Sequence, residues 1–172
     1  MEQKDSLYSK LMDVKHQIPD PTIGLPEEVF EFVTTLTPMV NVDLLIKDDL
    51  GRVLMAWRDD ELCGRGWHIP GGIIRYKERA EERIQRTALK ELGTEVLILK
   101  GPIEINEIFM LQEVRGHFIS LLYECKLPDG FIIPQELIWD ERTTKIGALK
   151  WHDKNPGLVR GQRDIYSQIF SM

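Results

Sequence analysis

A chain of 172 residues is one domain's worth of polypeptide, long enough to bury a sizeable core without disulfides or structural metals. Its 42% hydrophobic and 29% charged residues are those of an ordinary globular protein, and no apolar run approaches membrane-spanning length, which excludes a membrane partner. The net charge of −6 argues against a general nucleic-acid surface, which needs clustered cations, while leaving room for a single nucleotide bound locally.

The first residues, MEQKDSLYSK, are polar with no apolar signal segment, so the chain is expected in the cytoplasm; Cys63 and Cys125 lack metal-ligand spacing and read as free thiols. Leu7, Leu11, Val14 and Ile18 recur at helical spacing and predict an amphipathic helix over 5–18, ended by Pro19 and Pro21. A second short helix starts at Pro26, with Glu27 and Glu28 in its first turn and an apolar surface of Val29, Phe30, Phe32, Val33 and Leu36. The period then changes. Residues 39–47 and 52–58 are strand-like and are predicted to form a hairpin around Asp48-Asp49-Leu50-Gly51. An irregular acidic loop, DDELCGRG, leads to a short strand, Trp67-His68-Ile69, then Pro70-Gly71-Gly72 and a helix. Further strands are expected at 103–111, 117–126 and 147–152, with a closing helix from about 157 to 170. This order predicts an α/β sandwich with a mixed sheet, residues 39–172, preceded by an N-terminal helical extension, residues 1–38.

One stretch, GGIIRYKERAEERIQRTALKELG (residues 71–93), carries chemistry. On a wheel of about 100° per residue, Ala80, Ile84, Ala88 and Leu92 climb one stripe that should face the sheet. Glu91 falls inside that arc and Thr87 at its edge. A carboxylate turned toward a core needs a cation, backbone amides or a metal, because burying it unpaired is costly. A buried arginine or a run of amides is the plain structural answer. The neighbouring glycine turn offers another, because carbonyl and carboxylate oxygens together suit Mg²⁺.

This stretch resembles the Nudix box, with Gly72, Glu78, Arg86, Glu91 and Gly93 at matching positions and a Nudix-like WHIPGG before it. Thr87 and Lys90 stand where two of the family's carboxylates belong. With both acids missing, the chain is most similar to the GDP-mannose mannosyl hydrolase branch, over about residues 39–169. The resemblance implies an α/β/α Nudix fold and a single divalent ion, Mg²⁺ or alternatively Mn²⁺. It also implies attack of water on the anomeric carbon of a nucleoside diphosphate sugar. By position, Glu91 and the Gly71 carbonyl would bind the ion, Arg86 and Arg58 would contact the diphosphate, and Asp43 matches an acid the branch keeps in its site. Displacement at a sugar carbon needs fewer carboxylates than attack on phosphorus, since the leaving diphosphate is stabilised by one ion and cationic side chains.

Each of these residues also has a structural reading. Arg86 can pair along its helix with Glu78 or Glu82, Arg58 can be a solvated strand end, and Asp43 a hairpin-edge acid facing water. The branch has a Gln-His pair in a later loop; here that region reads PQELIWDERTTKIG, with Leu137 and Ile138 near those positions. The general base is then Glu136, with Asp140 or Glu141 as alternatives, or is absent. Ile73 replaces an arginine that the branch has after the glycines. Trp139 can stack on a base or cover a core edge. His68 can approach the site or serve as a hydrogen-bonded structural histidine; His16, His117 and His152 carry no motif. Besides a sugar hydrolase, the chain can be read as a pyrophosphatase of another nucleoside diphosphate derivative, or as an eroded nucleotide-binding module. The first helix either packs on its own domain or helps form a homodimer.

Overall fold

The computed structural model describes residues 6–170. Among these residues, seven strands form two sheets. β1 (Met39–Ile46), β4 (Gly71–Ile73), β5 (Leu97–Phe109) and β6 (His117–Lys126) make a mixed sheet in the order β4-β1-β6-β5, with β1 and β6 parallel and the other neighbours antiparallel. β2 (Val53–Asp60), β3 (Gly64–His68) and β7 (Leu149–His152) make an antiparallel sheet in the order β3-β2-β7.

The core follows from the two-residue period of β1. Val42, Leu44 and Ile46 join Ile84, Ala88 and Leu92 of a helix over Ala80–Leu92, while Leu45 belongs to the opposite cluster, with Tyr166 and Ile169. That helix therefore covers one side of the sheet. The C-terminal segment, a one-turn helix at Arg163–Tyr166 and a 3₁₀ turn at Ser167–Phe170, covers the other. The result is the α/β sandwich with a mixed sheet that the element order predicts, with helices on both sides as the resemblance implies.

Two helices precede the sandwich, α1 (Leu7–His16) and α2 (Glu27–Thr34), so the helix in the glycine-box stretch is α3 and the closing one α4. α1 is capped by Ser6, whose hydroxyl accepts from Ser9 N–H at 3.1 Å. The predicted start at residue 5 lies outside the described residues. None of its side chains is buried: Leu7, Leu11 and Val14 remain 74%, 51% and 42% exposed, so the stripe does not pack on its own domain. α3 keeps its predicted face, with Ile84, Ala88 and Leu92 fully buried, and stops at Gly93 in the left-handed conformation at φ 76°.

Three local expectations are corrected. β1 and β2 reverse around Gly51, yet they join different sheets and share only a Lys47–Val53 bridge. β1 is buried nearly throughout and β2 over residues 53–56, so each needs cover on both faces there; turn chemistry specifies a reversal and leaves the partner open. The acidic stretch is instead a true hairpin, with β2 running on through Asp60 and β3 starting at Gly64. The closing helix is short because Gly157 and Gly161 adopt left-handed φ angles of 94° and 89° within its predicted span.

Candidate active site

A cavity of about 670 Å³ opens where the glycine strand β4, the C-terminal end of α3 and the two sheets meet. Glycine is required at both positions of the turn. A Cβ on Gly71 would lie 2.2 Å from Asp43 Oδ1, and one on Gly72 would lie 2.5 Å from Thr87 Oγ1. Thr87, where a carboxylate is expected by resemblance, is instead buried and lets α3 approach β4 closely.

The register of β4 aims its backbone. Leu44 N–H donates to Pro70 O at 2.9 Å and Ile74 N–H to Val40 O at 2.9 Å, so the intervening Asp43–Gly71 pair is non-hydrogen-bonded and both polar groups of Gly71 turn away from β1. The Gly71 N–H faces the Glu91 carboxylate and favours its charged form. Glu91 Oε2 is buried with no hydrogen-bond partner. Burial pushes the Glu91 carboxyl up to about 7, opposed by Lys90, Arg58 and the Gly71 N–H and reinforced by the Asp43 charge. The acid predicted to sit awkwardly on the apolar arc of α3 does so, beside the glycine predicted to share its ligand.

Asp43 is no hairpin-edge acid facing water. It is 2% exposed and accepts from Ser120 Oγ at 2.5 Å, Tyr166 OH at 2.8 Å and Asn41 Nδ2 at 3.0 Å. Burial raises its carboxyl to about 6 despite those donors. Arg58 also lines the cavity and is paired with Asp60, which in turn accepts from Cys63 N–H at 2.8 Å and so fixes the hairpin turn beneath the arginine. His68 lines the same space. Its Nδ1 contacts Ile69 O at 2.9 Å, which assigns the proton to Nδ1, and burial followed by the Arg58 charge lowers its pKa to about 4, leaving it neutral near pH 7.

Two predicted residues lie elsewhere. Arg86 is exposed on α3 and pairs with Glu78 at 3.2 Å, the structural reading of that residue. Its neighbour Arg83 is the buried arginine, bidentate on Glu78 through Nε at 2.7 Å and Nη2 at 2.9 Å. Glu136 is exposed on a 3₁₀ turn and does not line the cavity, whereas Leu137 beside it does. Asp140 is spent on its own turn, accepting from Arg142 N–H at 2.8 Å, and Glu141 is exposed. The cavity also recruits Lys90 of the box and residues to which sequence reasoning assigned no role: Arg115, Arg160, Trp57 and Gln162. Gln162 Oε1 accepts from Ile69 N–H at 2.8 Å and holds the approach to the glycines across 93 residues of chain. Trp139 packs with Trp57 and Trp67 at centroid separations of 4.6 and 5.0 Å, covering a core edge. Both cysteines are free thiols, His117 stacks on Phe109, and His152 meets Trp67 edge to face.

Among the described residues no three His, Cys, Asp or Glu side chains gather to hold a metal ion, and no helix is long and apolar enough to cross a membrane. A lone carboxylate with an unpartnered oxygen beside an outward-turned backbone fits Mg²⁺ nonetheless, because that ion usually keeps several waters and takes one or two carboxylates plus substrate phosphates.

Residues 37–159 match the NUDIX domain family model. Over 123 residues the chain is 28% identical to the low-salt glycan biosynthesis protein Agl8 of Haloferax volcanii, covering 69% of this chain and 78% of that protein. Among solved structures, a UDP-X diphosphatase superposes with a TM-score of 0.56 at 22% identity, covering 96% of this chain and 79% of the other. An ADP-ribose pyrophosphatase from Streptococcus suis superposes with a TM-score of 0.52 at 16% identity, covering 78% and 91%.

Proposed function

The chain belongs to the NUDIX family, and on that premise we propose that it is a Mg²⁺-dependent hydrolase of a nucleoside diphosphate sugar, releasing the nucleoside diphosphate and the free sugar. One observation carries this reading. Of the carboxylates lining the cavity, Asp43 and Asp60 are bonded within the protein and Glu91 keeps an unpartnered oxygen, opposite several cations, while Thr87 and Lys90 occupy the places of two family acids. Such a site stabilises a departing diphosphate better than it supports the several ions used in attack on phosphorus. The glycan-related name of the Haloferax relative agrees with a sugar substrate.

Glu91 and the Gly71 carbonyl would hold Mg²⁺, with Mn²⁺ as a substitute. When bound, the ion offsets the charge that develops on the diphosphate. Arg58, oriented by Asp60, donates to the same leaving group. With Glu136 outside the cavity, Asp43 is the proton acceptor. Its carboxyl, raised to about 6, is ionised at neutral pH and stands at the cavity floor against Gly71. The water oxygen bonds to the anomeric carbon and its proton goes to Asp43. The carbon–oxygen bond to the diphosphate breaks, and its electron pair leaves with the diphosphate. Arg86 acts behind the site through its pair with Glu78.

Turnover in oxygen-18 water with a panel of nucleotide sugars and Mg²⁺ tests the reading, and label is expected in the sugar hydroxyl. Label in phosphate, with release of a nucleoside monophosphate, would establish a pyrophosphatase instead. Thermal protection by a nucleotide sugar without turnover would establish a binding module. The reduced cysteines suit a cytoplasmic enzyme, and the exposed stripe of α1 is suited to a second copy of the chain.

A further inference from the structure

Arg115 reaches the cavity from a backbone that needs holding in place. It has φ 56°, a left-handed conformation that a residue with a side chain keeps only when its neighbours over-determine it. The loop carrying it is closed by Met110 N–H donating to Gly116 O at 2.8 Å. Two contacts from α2 complete the hold. Arg115 N–H donates to Thr34 Oγ1 at 3.1 Å, and the guanidinium carbon lies 4.7 Å from the centre of the Phe30 ring. Thr34 is 4% exposed and gives its own hydroxyl proton to Glu31 O at 2.7 Å, which leaves its lone pairs directed at the loop.

A surface arginine stacked only for stability would have its donors in water or in protein bonds. Arg115 Nε is instead buried with no partner. The side chain lines the same cavity as Arg58 and Arg160, and all three charges act on the Cys63 thiol from nearby. An anion placed among these three guanidinium groups would balance the positive charge they gather there, where Arg58 is already paired with Asp60.

We propose that α2, which precedes the family-matched residues 37–159, is a working part of the substrate site. Through Thr34 and Phe30 it positions Arg115 as an anion-binding residue that grips the diphosphate together with Arg58 and Arg160. This rests on the cavity being the nucleotide site. Arg115 is the binding residue; Thr34 and Phe30 are positioning residues.

Calorimetric titration of the full chain with inorganic pyrophosphate in the presence of Mg²⁺ tests it, beside the melting temperature of each variant. Arg115→Gln is expected to weaken binding by roughly tenfold, as loss of a charge-assisted bond does. Thr34→Val and Phe30→Leu should weaken it less, while Thr34→Ser and Phe30→Tyr, which keep the hydroxyl and the ring, should restore it. Phe30→Leu combined with Arg115→Gln should be no weaker than Arg115→Gln alone. Unchanged affinity in Arg115→Gln, with Arg58→Gln weakened, would overturn this inference and leave the cavity reading standing. Unchanged affinity in both would overturn the two together. Full additivity of the Phe30 and Arg115 changes, or a Phe30→Leu effect on melting without one on affinity, would overturn the positioning role of α2.

Discussion

Glu91 ties the site to pH, because burial holds its proton to about 7, above its ordinary value of 4.5. A carboxyl whose folded pKa is raised favours the native state at low pH, and that advantage fades as pH rises from the unfolded value through the folded one. Without metal, the stability of the parent relative to Glu91→Gln should therefore fall steadily between about pH 4.5 and 7. Urea titrations at half-unit pH intervals will measure it, and a flat difference would contradict the burial. Taking the difference is necessary because His68 and His152, both pushed down to about 4, destabilise the protein in the opposite direction as pH falls below 6.5. Asp43 carries a separate prediction. If it accepts the proton from water, the acid limb of kcat/KM should fall near pH 6, and Asp43→Asn should abolish turnover while leaving pyrophosphate affinity within a factor of a few.

At the scale of elements, the contact between α3 and β4 decides whether the site exists, because it sets Glu91 against Gly71. Gly72→Ala should cost roughly 1–3 kcal/mol through overpacking, since the new methyl meets Thr87 Oγ1 and Arg83 Cδ. Adding Thr87→Ala removes the nearer obstacle, so the double variant should recover part of the loss. A double-mutant cycle by denaturant unfolding measures that coupling, and simple additivity would show that the approach is looser than described. Ile84→Ala, in the apolar stripe of the same helix, should cost about 2–5 kcal/mol with no such rescue. The stripe and the glycines were readable from sequence because helical period and backbone crowding are local. Arg115 and Gln162 were not, because their partners stand 81 and 93 residues away and nothing near either residue encodes the packing that brings them in. Glu136 failed for a related reason: position in a loop does not determine which neighbour faces inward, and Leu137 does so in its place.

For the whole molecule, the sequence pattern was sufficient for the layering and insufficient for which strands pair. Hydrophobic period specifies faces, whereas the division into two sheets depends on long-range burial. α1 shows the same limit, because its apolar stripe is present and stays exposed among the described residues. Replacing Leu7 and Leu11 with Ser should move the melting temperature by no more than about 2 °C, since neither is buried. If a second copy covers the stripe, sedimentation should show the mass of the parent halved by the same change. The aromatic cluster beside the cavity has an optical consequence. Three of the four tryptophans, Trp57, Trp67 and Trp139, stand with ring centroids within 5.2 Å of each other, and Trp57 also forms part of the cavity wall with its Nε1 buried and unpartnered. Indoles this close share excitation, so the emission of all three should change when a bound nucleotide touches one, and near-ultraviolet circular dichroism should carry a coupled indole signal that Trp57→Phe removes. The protein thus contains its own fluorophore for following ligand occupancy, without a label or a coupled assay.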